Sequence, residues 1–149
     1  MAPPSINLTH AFTLKLRIEA GFDIPGTPLG DRSYIPVTDG SLTGQGIAAK
    51  VTPGGDYAIL KDGWGKLDVR VHAVTEDKEV IYIHYYGQLE ITPAVGKILG
   101  GEPQAKSTNF DDGYLLHAWV NRTIFVGKGK LEVGNGGAVT VVYEIFKAK

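Results

Sequence analysis

The stretch from Leu67 to Tyr86 holds the densest set of side chains that could do chemistry. A three-residue connection at Glu76-Asp77-Lys78 predicts a hairpin in which Thr75 pairs with Glu79. Continued outward, that register sets Asp68 opposite Tyr86, Arg70 opposite His84 and His72 opposite Tyr82. Val71 then faces Ile83, and Ala73 faces Ile81. One face is apolar, and the other carries a carboxylate, a guanidinium, two imidazoles and two phenols. A slip by one residue would mix the two sets, so the pattern favours this pairing.

If the polar row lines a cavity, Asp68, Arg70 and His84 are the expected catalytic groups, with His72, Tyr82 and Tyr86 contacting a ligand. A carboxyl in an apolar cavity keeps its proton, so Asp68 could serve as an acid. The same row also fits a solvated outer face over an apolar core. Its richness in His and Tyr, where a solvated face favours Lys and Glu, argues for the inward reading. The pattern alone leaves both open.

A second candidate strand, 114–126, places His117, Trp119, Asn121, Thr123 and Phe125 on one face. Trp119, Asn121 and Phe125 could offer a ligand an aromatic wall and an amide, or could simply pack. His10 shares an apolar face with Phe12, Leu14, Leu16 and Ile18, which suits a core histidine. Phosphate loops, nucleophile elbows and metal-binding helices are missing from the sequence. Of the four histidines only His72 and His84 fall side by side, next to Arg70 and Tyr82. Neither a metal nor another cofactor is expected.

The elements that must position these groups are strands. Period-two alternation continues through 10–18, 32–37, 47–51, 57–61, 67–75, 80–86 and 138–146. Pro53-Gly54-Gly55, Asp62-Gly63 and Asn135-Gly136-Gly137 supply turn chemistry between them. Only 92–99 looks helical, with Pro93 suited to the first turn and Gly100-Gly101 to the end. The length of 149 residues fits one domain spanning 1–149. A net charge of -1 without basic clusters gives nucleic acid no footprint. The absence of cysteine removes disulfides and thiolate chemistry. No apolar run resembles a signal peptide or a membrane span, so a cytoplasmic location is the default expectation.

The ordered set Gly54-Gly55-Asp56-Tyr57, Asp62-Gly63 and Leu67-Asp68-Val69-Arg70 resembles the pattern of the domain-of-unknown-function 3237 family. So do Gly30-Asp31-Arg32, Asp39-Gly40-Ser41-Leu42-Thr43-Gly44, Ala118-Trp119-Val120-Asn121-Arg122, Phe125-Val126-Gly127 and Val142-Tyr143. Tyr57 stands where the family pattern has tryptophan. The resemblance implies a lipocalin-like β-barrel, often oligomeric, with an internal cavity. It also implies kinship with fungal proteins of secondary metabolism that look like cyclases of aromatic polyketides.

The resulting expectation is an all-β protein, a single antiparallel lipocalin-like (calycin-like) β-barrel with at most one short helix. The expected function is a cofactor-free cyclase or isomerase of a small hydrophobic aromatic metabolite, for example one adding a phenol across a prenyl alkene. The alternative is a non-catalytic carrier of a small hydrophobic molecule. Expected partners are that substrate and a second copy in a dimer, with no nucleic acid and no membrane.

Overall fold

The computed structural model describes residues 1–100, the backbone of 108–116, and residues 123–148. Its strands are β1 (Leu8–Ile18), β2 (Phe22–Thr27), β3 (Gly30–Gly44), β4 (Ile47–Val51), β5 (Gly54–Lys61), β6 (Trp64–Thr75), β7 (Val80–Glu90), β8 (Thr108–Leu116), β9 (Phe125–Val133) and β10 (Val139–Ala148). A short helix, α1 (Pro93–Leu99), lies between β7 and β8. Among the described residues no helix is long and apolar enough to cross a membrane.

The hairpin of β6 and β7 forms as its alternation dictates. Asp68 pairs with Tyr86, Arg70 with His84, His72 with Tyr82 and Val71 with Ile83. The Thr75 N–H donates to the Glu79 carbonyl at 3.0 Å, and Lys78 takes a φ of 67° to close the turn. From there the antiparallel sheet runs β7, β8, β9, β10, β1, and β1 pairs with β3. On the other side β6 pairs with β4 and β5, which both pair with β3. The ring is therefore a closed antiparallel barrel with β2 attached outside it.

The long strand β3 makes closure possible. Its first half pairs with β2 and β5, and its second half with β1 and β4. At Gly40 it presses so close to β1 that a Cβ would collide with the Lys15 carbonyl. Only glycine fits there, because the obstacle is backbone.

Leu14, Leu16, Val51, Val71, Ala73 and Leu131 are buried in the middle of the barrel, each at most 2% exposed. The helix α1 docks against this core through Val95 and Ile98. Thr92 is its N-cap, accepting from the Val95 N–H at 3.2 Å, and Gly100 is its C-cap. A hydroxyl cap with Pro93 in the first turn starts a helix even in a short segment.

Two expectations need correction. The proposed strand 114–126 is not one strand: β8 ends at Leu116, β9 begins at Phe125, and the two residues pair antiparallel. Continuous apolar alternation concealed that reversal. His10 is not a core residue either. A β-bulge between His10 and Phe12 shifts the alternation, burying Ala11 and leaving the His10 side chain 49% exposed beside Glu144.

Candidate active site

The polar row of β6 and β7 faces outward. Leu67, Val69, Val71, Ala73, Ile83 and Tyr85 take the inward positions and are buried. The alternate residues His72, Tyr82 and Tyr86 are exposed, and the Arg70 side chain is 50% exposed. This overturns the inward reading of Asp68, Arg70, His72, Tyr82, His84 and Tyr86. These six inward side chains release more free energy on burial than a row of charged and phenolic groups would.

The row is nonetheless organised. Arg70 donates to both oxygens of Asp68, from Nε at 3.1 Å and from the guanidinium terminus at 3.0 Å. His84 Nε2 lies 2.8 Å from Asp68 Oδ1, and its ring meets Tyr86 edge-on at 4.8 Å. The Arg70 fork, with His84 adding to it against a smaller opposing push from burial, holds the Asp68 carboxyl below its ordinary value. Asp68 is thus an ionised partner in a surface cluster and not the neutral acid expected of it.

The carboxyl whose pKa is raised is Asp56, on β5. It is 7% exposed and faces a chamber lined otherwise by Leu16, Val69, Tyr85, Tyr143 and further aliphatic side chains. Burial pushes its pKa up to about 7. The Asp68 N–H, which donates to Asp56 Oδ1 at 2.9 Å, pulls the value down, and the Asp68 charge raises it slightly. That hydrogen bond fills a gap in the ladder, which steps from Asp56↔Val69 to Ile59↔Lys66.

The residues around Asp56 explain its placement. A Cβ at Gly55 would overlap the Tyr34 ring, which lies over that position and donates its hydroxyl to the Gly54 carbonyl at 3.1 Å. Gly55 lets a tyrosine cover the outside of β5 while Asp56 turns inward, and Gly54 lets β5 lie close to the Arg70 carbonyl of β6. Inside, the Tyr85 and Tyr143 rings meet edge-to-face at 5.1 Å. Burial drives the Tyr143 phenol above its ordinary value, so it remains a proton-bearing donor; the Tyr85 hydroxyl beside it pulls the other way.

The chamber is small, with a free volume of about 40 Å³. That is room for a few waters. A larger cleft of about 590 Å³ opens at the barrel end by α1, lined by Arg17, Glu19, Ala20, Ile98, Ala138 and neighbouring residues. Ile18 and Leu99 border both spaces.

Of the second group of candidates, Phe125 is a core residue, 7% exposed and packed 5.8 Å from Phe12. It does not line the chamber. Trp119, Asn121 and His117 lie outside the described residues. Among the described residues no three His, Asp or Glu gather as metal ligands.

A family model described as a protein of unknown function, DUF3237, matches residues 6–148. The chain belongs to the DUF3237 family. A UPF0311 protein of Rhodopseudomonas palustris is 26% identical over 137 residues, covering 83% of this chain and 88% of the relative. A solved R. palustris protein of unknown function superposes with a TM-score of 0.79 at 23% identity, covering 99% of this chain and all of that one. A β-barrel-like protein from Acinetobacter baumannii follows at 0.70 and 21%, covering 99% of both chains. An enzyme from Penicillium herquei shares the fold at 0.64 and 14%, covering all of this chain and 98% of its own. At these identities the structures establish the DUF3237 barrel and leave its chemistry to the residues.

Asp56 was visible in the sequence as the carboxylate of the Gly54-Gly55-Asp56-Tyr57 run. Treating the two glycines as a turn left Asp56 outside the strand. The usable signal was its phase: Asp56 lies two residues from Ala58 and alternates with Tyr57 and Ile59.

Proposed function

We propose that the barrel is a cofactor-free acid–base enzyme, a cyclase or isomerase of a small hydrophobic aromatic molecule, with Asp56 as its proton donor and acceptor. The observation that carries this reading is a buried carboxyl held at about 7 in an otherwise apolar chamber. A group with that pKa gives and takes a proton near neutral pH with little driving force lost either way. The neighbour described as an enzyme adds weight to catalysis over transport.

One concrete reaction closes an oxygen ring. The Asp56 carboxyl gives its proton to the less substituted carbon of a prenyl alkene, leaving a tertiary cation. The phenol oxygen of the same molecule attacks that cation, and the phenolic proton returns to the Asp56 carboxylate. The reaction is an isomerisation, so neither oxidant nor cofactor is consumed. Tyr85 and Tyr143 line the chamber beside Asp56, and aromatic rings favour positive charge at their faces. Holding the two reacting groups together supplies much of the acceleration.

The test is to incubate prenylated phenols with the wild type, Asp56→Asn and Asp68→Asn, and to follow ring closure by chromatography. The reading expects product from the wild type and Asp68→Asn, and none from Asp56→Asn. Product from Asp56→Asn at the wild-type rate refutes it. Tight binding without turnover by all three proteins identifies a carrier.

A further inference from the structure

Ile18 and Leu99 form a wall common to the chamber and the cleft. We infer that the cleft seats the bulk of the ligand and that this pair selects what reaches Asp56, so the ligand is a neutral, elongated, largely apolar molecule with one slim, uncharged end that meets the carboxyl. The inference rests on the reading of Asp56 as the reacting acid and narrows its substrate class.

Size argues first. The chamber, at about 40 Å³, takes only a few heavy atoms. The cleft, at about 590 Å³, lies within the range of roughly 300–1,000 Å³ that small-molecule sites occupy. A ligand of any substance must therefore leave most of itself beyond Ile18 and Leu99.

Charge argues second. Among the described residues the chamber lining holds one carboxyl and no cation. The cleft lining holds one of each sign, Arg17 and Glu19, and Arg17 already faces Asp39 at 3.6 Å. An anion entering the chamber would be desolvated beside Asp56 with no positive charge to meet it, which costs several kcal/mol. An uncharged end meets a mostly aliphatic lining and carries no such cost.

Both wall residues stand at element ends. Ile18 is the last residue of β1, and Leu99 is the last residue of a seven-residue helix that has Gly96 at its centre. Element ends open at the smallest cost, so the wall can yield to the right shape without unfolding the barrel.

The test uses a matched pair of fluorescent dyes, neutral N-phenyl-1-naphthylamine and its 8-sulfonate. The neutral dye is expected to bind the wild type at least about tenfold more tightly than the sulfonate. Filling the wall with Leu99→Trp, or the exposed cleft rim with Ala20→Trp, is expected to weaken the neutral dye by about tenfold. Leu99→Ala should retain or tighten it. Equal affinity for both dyes, no binding of the neutral dye to the wild type, or indifference to both tryptophans overturns the inference. The Asp56 reading is checked separately, by ring closure of prenylated phenols: if Asp56→Asn forms product at the wild-type rate, the acid assignment falls while the cleft stands.

Discussion

Replacing Asp56 with asparagine should make the protein more stable, and increasingly so as pH rises. The side chain keeps its shape, and its amide oxygen can still accept the Asp68 N–H. What it loses is a proton equilibrium. In the folded protein Asp56 titrates at about 7, against 3.8 for an ordinary aspartate. Between those values the folded state binds more protons than the unfolded state, so stability falls as pH rises. The stabilisation from protonation is complete below 3.8 and gone above about 7. The whole span is about three pH units at 1.36 kcal/mol each, or about 4 kcal/mol. From pH 5 to pH 9 only the two units below 7 count, giving about 3 kcal/mol. Urea unfolding of both proteins at half-unit pH intervals measures this directly. The difference in unfolding free energy, variant minus wild type, should grow by about 3 kcal/mol over that range. Parallel curves would refute the reasoning, because they would mean that Asp56 titrates alike in the folded and unfolded chain.

Arg70→Ala should let the Asp68 carboxyl titrate higher, toward its ordinary value, as followed by carboxyl carbon NMR; an unchanged midpoint contradicts the role given to the Arg70 fork. Because the folded Asp68 value is depressed, its contribution to stability is present above the ordinary carboxylate value and is lost as pH falls through the folded one. Gly40→Ala should cost about 3 kcal/mol in thermal or urea unfolding, because its Cβ meets the Lys15 carbonyl and backbone cannot step aside. Gly65→Ala is the control, since its Cβ has no neighbour nearer than 3.4 Å, and should cost less than about 1 kcal/mol. Gly96→Ala, with open space around the new methyl, should stabilise α1 by about 1 kcal/mol and slow amide exchange there.

The barrel was legible because alternation and turn chemistry are local. The register of β6 against β7 followed from one three-residue turn and one apolar face, and every predicted pair there is present. The helix was legible from Thr92, Pro93 and Gly100. His10 was misread because a bulge leaves no mark in the hydrophobic pattern, which looks continuous through Phe12. Asp56 was overlooked for a different reason. Which face of a strand becomes the inside is a tertiary outcome, and the polar row of Asp68, Arg70 and His84 offered richer chemistry than one aspartate behind two glycines. The proposed reaction uses the buried group, since burial sets its pKa, and burial is what a sequence states least directly.

The most direct test is a carboxyl carbon NMR titration of Asp56 and Asp68 in the wild-type protein. Asp56 is expected to titrate near 7, while Asp68 titrates below the ordinary aspartate value. An Asp56 midpoint near 3.8 would contradict the account and leave the barrel without a buried acid at that position.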